Sequence, residues 1–232
     1  MKKKVLLLTL VSLFLLSPIS FAANNSDNIA KSKACVKQAQ KCFEKLDVVN
    51  TEKKLKEAIQ LNDKNDEAYA ELGNLEAYGK NFNEAVDYYA KAISINPEKY
   101  EYYTLKGATE HLILDYKSAI KDLNKAIELH PKNEFAYYHL ALMYYYFGYI
   151  KEALEYSNKS IQYSDGKNLE HYELRARIKL SLKDYEGSIA DYKKVLAIAK
   201  KEKKYEQAIM PITHQIDMIQ KGIEVFKSVN SK

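Results

Sequence analysis

Between residues 66 and 199 the apolar positions recur at i, i+3, i+4 and i+7, as in Tyr69, Leu72 and Gly73, and again in Val86, Tyr89, Ala90 and Ile93. That spacing puts one apolar stripe on each of a series of amphipathic helices. Short breaks at Gly79-Lys80-Asn81, Leu114-Asp115, Phe147-Gly148 and Lys183-Asp184 divide the stripes, so the pattern predicts helices joined in pairs by tight turns. Asn81, followed three residues later by Glu84, predicts a capping pair at a helix start.

The stripes repeat. Segments opening at Tyr69, Tyr103, Tyr137 and Tyr172 align at intervals of 34, 34 and 35 residues. Four positions on stands a small residue, Gly73, Gly107, Ala141 or Ala176, and twelve further another, Ala85, Ala119, Ala153 or Ser188. A third small slot holds Ala92, Ala126 and Ser160, with Val195 in the last copy, and Pro97 and Pro131 close the first two copies. Tyr69, Leu72-Gly73, Ala85, Tyr89 and Pro97 resemble the tetratricopeptide-repeat family, although Glu76, Lys106 and Arg175 depart from its pattern. The resemblance implies an all-α fold, a right-handed α-solenoid of stacked antiparallel helix pairs with a C-terminal capping helix. Small residues at the recurring slots let paired helices approach closely, and one pair cannot cover its own apolar face, so neighbours must stack and the end must be capped.

The expected organisation is a signal peptide over 1–22, a flexible segment over 23–31 and a degenerate copy over 32–65. Copies follow over 66–99, 100–133 and 134–167, then a divergent copy over 168–202 and a capping helix and tail over 203–232. In that last segment Ile209, Ile212, Ile216, Ile219, Ile223 and Phe226 recur at helical intervals. Pro211 favours a helix beginning near Met210, because proline is tolerated in a first turn. Lys200 to Lys204 read as a solvated junction.

The N-terminus changes where the protein is expected to act. Lys2 to Lys4 precede an apolar run from Val5 to Leu16, and Ser20-Phe21-Ala22 offers a cleavage site. Twelve helical residues reach roughly 18 Å, short of about 30 Å of hydrocarbon, so we read a bacterial export signal that leaves no stable membrane span. Its removal takes three of the 36 basic residues and none of the 31 acidic ones, leaving a net charge of +2. Only Arg175 and Arg177 are arginine, which speaks against a nucleic-acid surface. Cys35 and Cys42 are the only cysteines, and an exported pair invites a disulfide. On one helix their Cα atoms would lie roughly 10.5 Å apart, beyond the limit of about 7 Å. Three readings stay open: a bridge that unwinds the segment, a bridge to another molecule, and two buried thiols on one face.

The resemblance implies that the leading helix of each pair lines a concave groove that binds protein or peptide. On the leading helix of the third strong copy Tyr137, Leu140, Ala141 and Tyr144 would face the paired helix, while Phe135, Tyr138, Leu142, Tyr145 and Tyr146 form a second stripe. We expect these five to centre an aromatic groove with Asn74 and Tyr78 on one side, His111 and Leu112 between, and Arg177 at the far end. A helix apolar nearly all round supports two readings, a ligand face or internal core sealed by the C-terminal helix. The corresponding functions are an adaptor recruiting an exported or envelope protein, and a structural or self-associating element. His111, His130, His139, His171 and His214 form no zinc-hydrolase, nucleophile or phosphate-loop motif, so neither enzyme activity, a metal nor another cofactor is expected.

Overall fold

The computed structural model describes residues 25–202 and 205–230, so the expected export signal over 1–22 lies outside the described residues. Every regular element among them is a helix: α1 (25–43), α2 (Val48–Leu61), α3 (Asp66–Tyr78), α4 (Phe82–Ile95), α5 (Tyr100–Leu112), α6 (Tyr116–Leu129), α7 (Glu134–Tyr146), α8 (Ile150–Tyr163), α9 (Leu169–Ser181), α10 (Tyr185–Ala199) and α11 (Glu206–Asn230). The fold is all-α, built from stacked helix pairs with a C-terminal helix. Two compact units divide the chain between Tyr102 and Tyr103.

In the first unit Cys35, Val36 and Ala39 of α1 pack with Leu55 and Ala58 of α2 and with Ala68 and Leu72 of α3. Buried polar groups there are satisfied in a chain: the Asn65 amide donates to Ser32 Oγ at 2.7 Å, and Ser32 donates to the Ala58 carbonyl at 2.7 Å. Asn65 Oδ1 meanwhile caps α3 by accepting from the Ala68 N–H. A Cβ on Gly73 would come within 2.6 Å of the Tyr89 ring, which explains why this slot holds glycine. Cys35 and Cys42 lie on α1 as free thiols.

The second unit repeats the scheme. Ala119, Leu123 and Ala126 of α6 pack with Ala136, Leu140 and Met143 of α7, while Ala141 and Ala153 pack with Leu174 and Ile178 of α9. Ile212, Ile216 and Ile219 of α11 close the final pair against Leu169, Ala176, Ile189, Tyr192 and Val195. Each small slot of the second helices is sealed: Ala85, Ala119, Ala153 and Ser188 are all fully buried.

Departures from the repeat pattern are ordered. Leu72 and Tyr88, sixteen residues apart, share one apolar cluster, as do Leu140 and Tyr156. At the same two positions the intervening copies carry opposite charges. Lys106 donates to Asp122 and also to Glu110, and Arg175 forks onto both oxygens of Asp191 at 2.7 and 2.8 Å, with Lys179 on the same carboxylate. Asp122, Glu110 and Asp191 are buried, so these are desolvated charges held in place by their partners. Tyr102 and His171 likewise replace the Ala68 and Ala136 of the other copies, and each finds a polar partner, Asp66 and Ser160 respectively.

The turn inside each pair holds one residue in the left-handed region: Leu46, Lys80, Leu114, Gly148 and Lys183, with φ of 59°, 64°, 64°, 81° and 63°. The next residue's N–H reaches back to a carbonyl five positions earlier, as from Asp115 to Glu110, which satisfies the helix end. Only Gly148 adopts this conformation without a steric cost.

Three expectations are corrected. The segment 23–31, expected to be flexible, is helical from residue 25. Asn81 stands at the start of α4 but makes no side-chain cap; its amide donates to Glu76 Oε2 at 2.8 Å instead. Finally, α11 begins at Glu206 and runs through Pro211. The carbonyl of Gln207 that loses its helical donor belongs to an exposed residue, so the missing N–H leaves no buried acceptor.

Candidate functional site

The candidate site is built on α7, whose start is fixed by Asn133. Asn133 accepts from the Ala136 N–H at 3.1 Å and donates to Thr104 Oγ1 at 2.6 Å, joining α7 to α5 through a buried bond. With Ala136, Tyr137, Leu140, Ala141 and Met143 committed to the core and Tyr144 stacked on Tyr156 beside them, Phe135, Tyr138, Tyr145 and Tyr146 are left for the other side of the helix.

Those residues are not equally open. Phe135 and Tyr146 are 49% and 59% exposed, whereas Tyr138, Leu142 and Tyr145 are half-buried against α9. Tyr138 stacks on His171 with ring centroids 4.9 Å apart and an interplanar angle of 16°, and Phe135 meets the same imidazole edge-on at 5.9 Å. His171 is itself buried, its Nδ1 2.8 Å from Ser160 Oγ, and burial holds its pKa down to about 4. Burial, reinforced by the Glu170 and Glu173 carboxylates, raises the Tyr138 phenol. Both groups are therefore neutral at pH 7, and the face rests on a stacked pair of uncharged rings.

Around this base the Arg177 guanidinium lies 5.4 Å from the Tyr145 ring centroid, a cation–π contact that pins both side chains. On α5, His111 sits 6.3 Å from the Tyr146 ring and 5.9 Å from Tyr116, and Leu112 is 56% exposed. The structure thus brings His111, Phe135, Tyr138, Leu142, Tyr145, Tyr146 and Arg177 into the second unit through these contacts, with Leu112 next to His111 in the chain. Asn74 and Tyr78 belong to the first unit. There Asn74 accepts from the Tyr89 hydroxyl at 2.8 Å and donates to Glu71, and Tyr78 meets Phe43 edge-on.

Two contributors escaped the sequence reading, His171 and His139. His139 lies edge-on to Tyr138 at 5.2 Å; its buried Nδ1 has no hydrogen-bond partner among the described residues, and burial lowers its pKa to about 4. The available signal was positional, since His171 replaces the buried Ala136 of the preceding copy. Among the described residues no group of three or more His, Cys, Asp or Glu could hold a metal ion. The C-terminal helix packs through Ile212, Ile216 and Ile219 into the cluster of α9 and α10, which contains none of the aromatic residues of α7.

Comparison with known proteins bears on this arrangement. Two tetratricopeptide-repeat family models match, over residues 66–99 and 170–202. Those two segments are similar to tetratricopeptide repeats, and the stacked helix pairs form a tetratricopeptide-like fold. Tetratricopeptide repeats are known as non-catalytic scaffolds. Solved structures share the fold at low identity. MamA of Desulfovibrio magneticus RS-1 is 20% identical with a TM-score of 0.62, covering 74% of this chain and 97% of that one. PilF of Pseudomonas aeruginosa is 15% identical with a TM-score of 0.68, covering 89% and 100%. YrrB, described as a tetratricopeptide protein with an unusual peptide-binding site, is 18% identical with a TM-score of 0.54, covering 75% and 89%. No curated protein sequence matches the chain. No helix among the described residues of this repeat protein is long and apolar enough to cross a membrane.

Proposed function

We propose that this chain is a tetratricopeptide-repeat adaptor that holds an apolar segment of another polypeptide on the aromatic face of its second unit, and that it works outside the cytoplasm, in a bacterial envelope. The observation that carries the reading is the division of that face into a rigid base and an open rim. Tyr138, His171, Tyr145 and Arg177 are locked together, while Phe135, Tyr146 and Leu112 present large apolar surface to solvent. Exposed aromatic surface costs free energy unless something covers it, and tyrosine offers contact area at a low entropy cost with a polar tip. Anchors of this kind read side chains of a docked segment. The basic and apolar N-terminus supports export, and the description of YrrB, a protein of similar fold, as having a peptide-binding site supports a peptide ligand.

The test separates rim from base. Phe135→Ser with Tyr146→Ser should abolish capture of the partner in envelope crosslinking while shifting the melting temperature by less than about 4 °C. Tyr138→Ser should instead lower the melting temperature, because it strips the stacked cover from His171. Retained capture by the rim variant would refute the proposal.

A further inference from the structure

The first unit contains a cavity of about 310 Å³ between α1, α2 and α3. The buried Leu55 and Leu75 give it an apolar floor, and the half-buried Gln40, Phe43, Glu71 and Asn74 stand around that floor. Stacking of the helices does not call for polar groups here. One period of 34 residues further on, Leu105 and Ala108 occupy the slots of Glu71 and Asn74.

Glu71 is the polar centre of the cavity. Gln40 Nε2 donates to its Oε1 at 2.8 Å, and Asn74 Nδ2 donates to its Oε2 at 3.0 Å. Asn74 is fixed in turn by accepting from the Tyr89 hydroxyl at 2.8 Å. Both donors to the carboxylate are neutral, and no lysine or arginine lines the cavity, so Glu71 is oriented without being neutralised. Each of its oxygens spends one lone pair on an amide and keeps another. Glu44, exposed in the same lining, adds a second negative charge. Among the described residues no set of carboxylates is placed to hold a metal ion, so an organic cation is the matching charge.

We propose that this cavity receives the guanidinium of an arginine side chain carried by a docked polypeptide. A guanidinium presents its N–H groups as a planar fork, which matches the two free lone pairs of an oriented carboxylate, whereas an ammonium is a point charge. Its flat face also packs on an aromatic ring, and Phe43 is held for that purpose by Tyr78, edge-on at 5.3 Å. The methylene stem of arginine covers the apolar floor while the charged head meets Glu71. The volume lies at the lower bound of small-molecule pockets, about 300 Å³, which suits one long side chain with its main chain left outside. The site stands on the first unit alone and does not depend on the aromatic face of the second.

Nuclear magnetic resonance titration of the intact protein with N-acetyl-arginine methylamide, following the side-chain amides of Gln40 and Asn74, tests this assignment. Those signals should shift and saturate with a dissociation constant on the order of 1 mM, the strength of a single anchor. N-acetyl-citrulline methylamide has the same shape without the charge and should bind at least about tenfold more weakly. That contrast is read on the wild-type protein, so it does not depend on any variant folding. Glu71→Gln should weaken the arginine amide by about tenfold, and the rim variant Phe135→Ser with Tyr146→Ser should bind it as wild type does. Equal binding of the citrulline and arginine amides overturns the inference, and so does the absence of a shift up to about 20 mM. A lysine amide that binds more tightly than the arginine amide overturns the guanidinium assignment. Agmatine binding more than about tenfold tighter overturns the polypeptide source, because the occupant would then be a free small amine.

Discussion

Gly73→Ala is the sharpest test of how the helix pairs are packed. The added Cβ would stand 2.6 and 2.8 Å from two carbons of the Tyr89 ring. That ring cannot retreat freely, since Tyr89 is 1% exposed and its hydroxyl donates to Asn74 Oδ1 at 2.8 Å. Overpacking of one methyl costs about 1–3 kcal/mol, and alanine returns about 1 kcal/mol of helix propensity, so the variant should be destabilised by up to about 2 kcal/mol. The third copy suggests the relief: there alanine at the first slot, Ala141, stands with Ser157 in place of the ring. Urea unfolding of Gly73→Ala, Tyr89→Ser and the double variant should therefore give a favourable coupling of at least about 1 kcal/mol. Additive behaviour in the cycle would refute the close-approach argument.

Other consequences follow from the same packing. Lys106→Leu should cost about 3 kcal/mol by leaving Asp122 and Glu110 buried without their cation, and adding Asp122→Tyr, which recreates the Leu72 and Tyr88 pair, should recover most of it in urea titrations. Leu114→Gly should gain about 0.5–1 kcal/mol, since φ is 64° and the side chain is 67% exposed, while Gly148→Leu should lose about 1 kcal/mol in the same assay. Acid should destabilise the second unit as the His171 window is crossed. The folded pKa of His171 is lowered from 6.5 to about 4, so the unfolded chain binds more protons between those values, and stability falls as pH drops through that window. Calorimetry of His171→Phe, which keeps a planar ring on Tyr138 without a titrating nitrogen, should show a shallower fall.

Much of the fold was legible because it depends on period. Tyr69, Tyr103, Tyr137 and Tyr172 mark the leading helices, and small residues at Gly73 and Ala85 mark the close approaches between them. What escaped were features that need two chain positions at once. Lys106 and Arg175 looked like decay of a leucine slot; only with Asp122 and Asp191 sixteen residues on do they become ion pairs. The aromatic stripe of α7 was visible, but its division into base and rim depends on His171, which arrives from another helix. Pro211 misled because local rules place proline at a helix start, whereas solvent at Gln207 allows the helix to begin earlier.

Site-specific photocrosslinking in living cells tests the central claim most directly. A photoreactive phenylalanine at position 135 or 146 should each trap the same polypeptide, and one at the exposed Lys121 of α6 should not. Equal trapping from all three positions, or none from 135 and 146, would contradict the account.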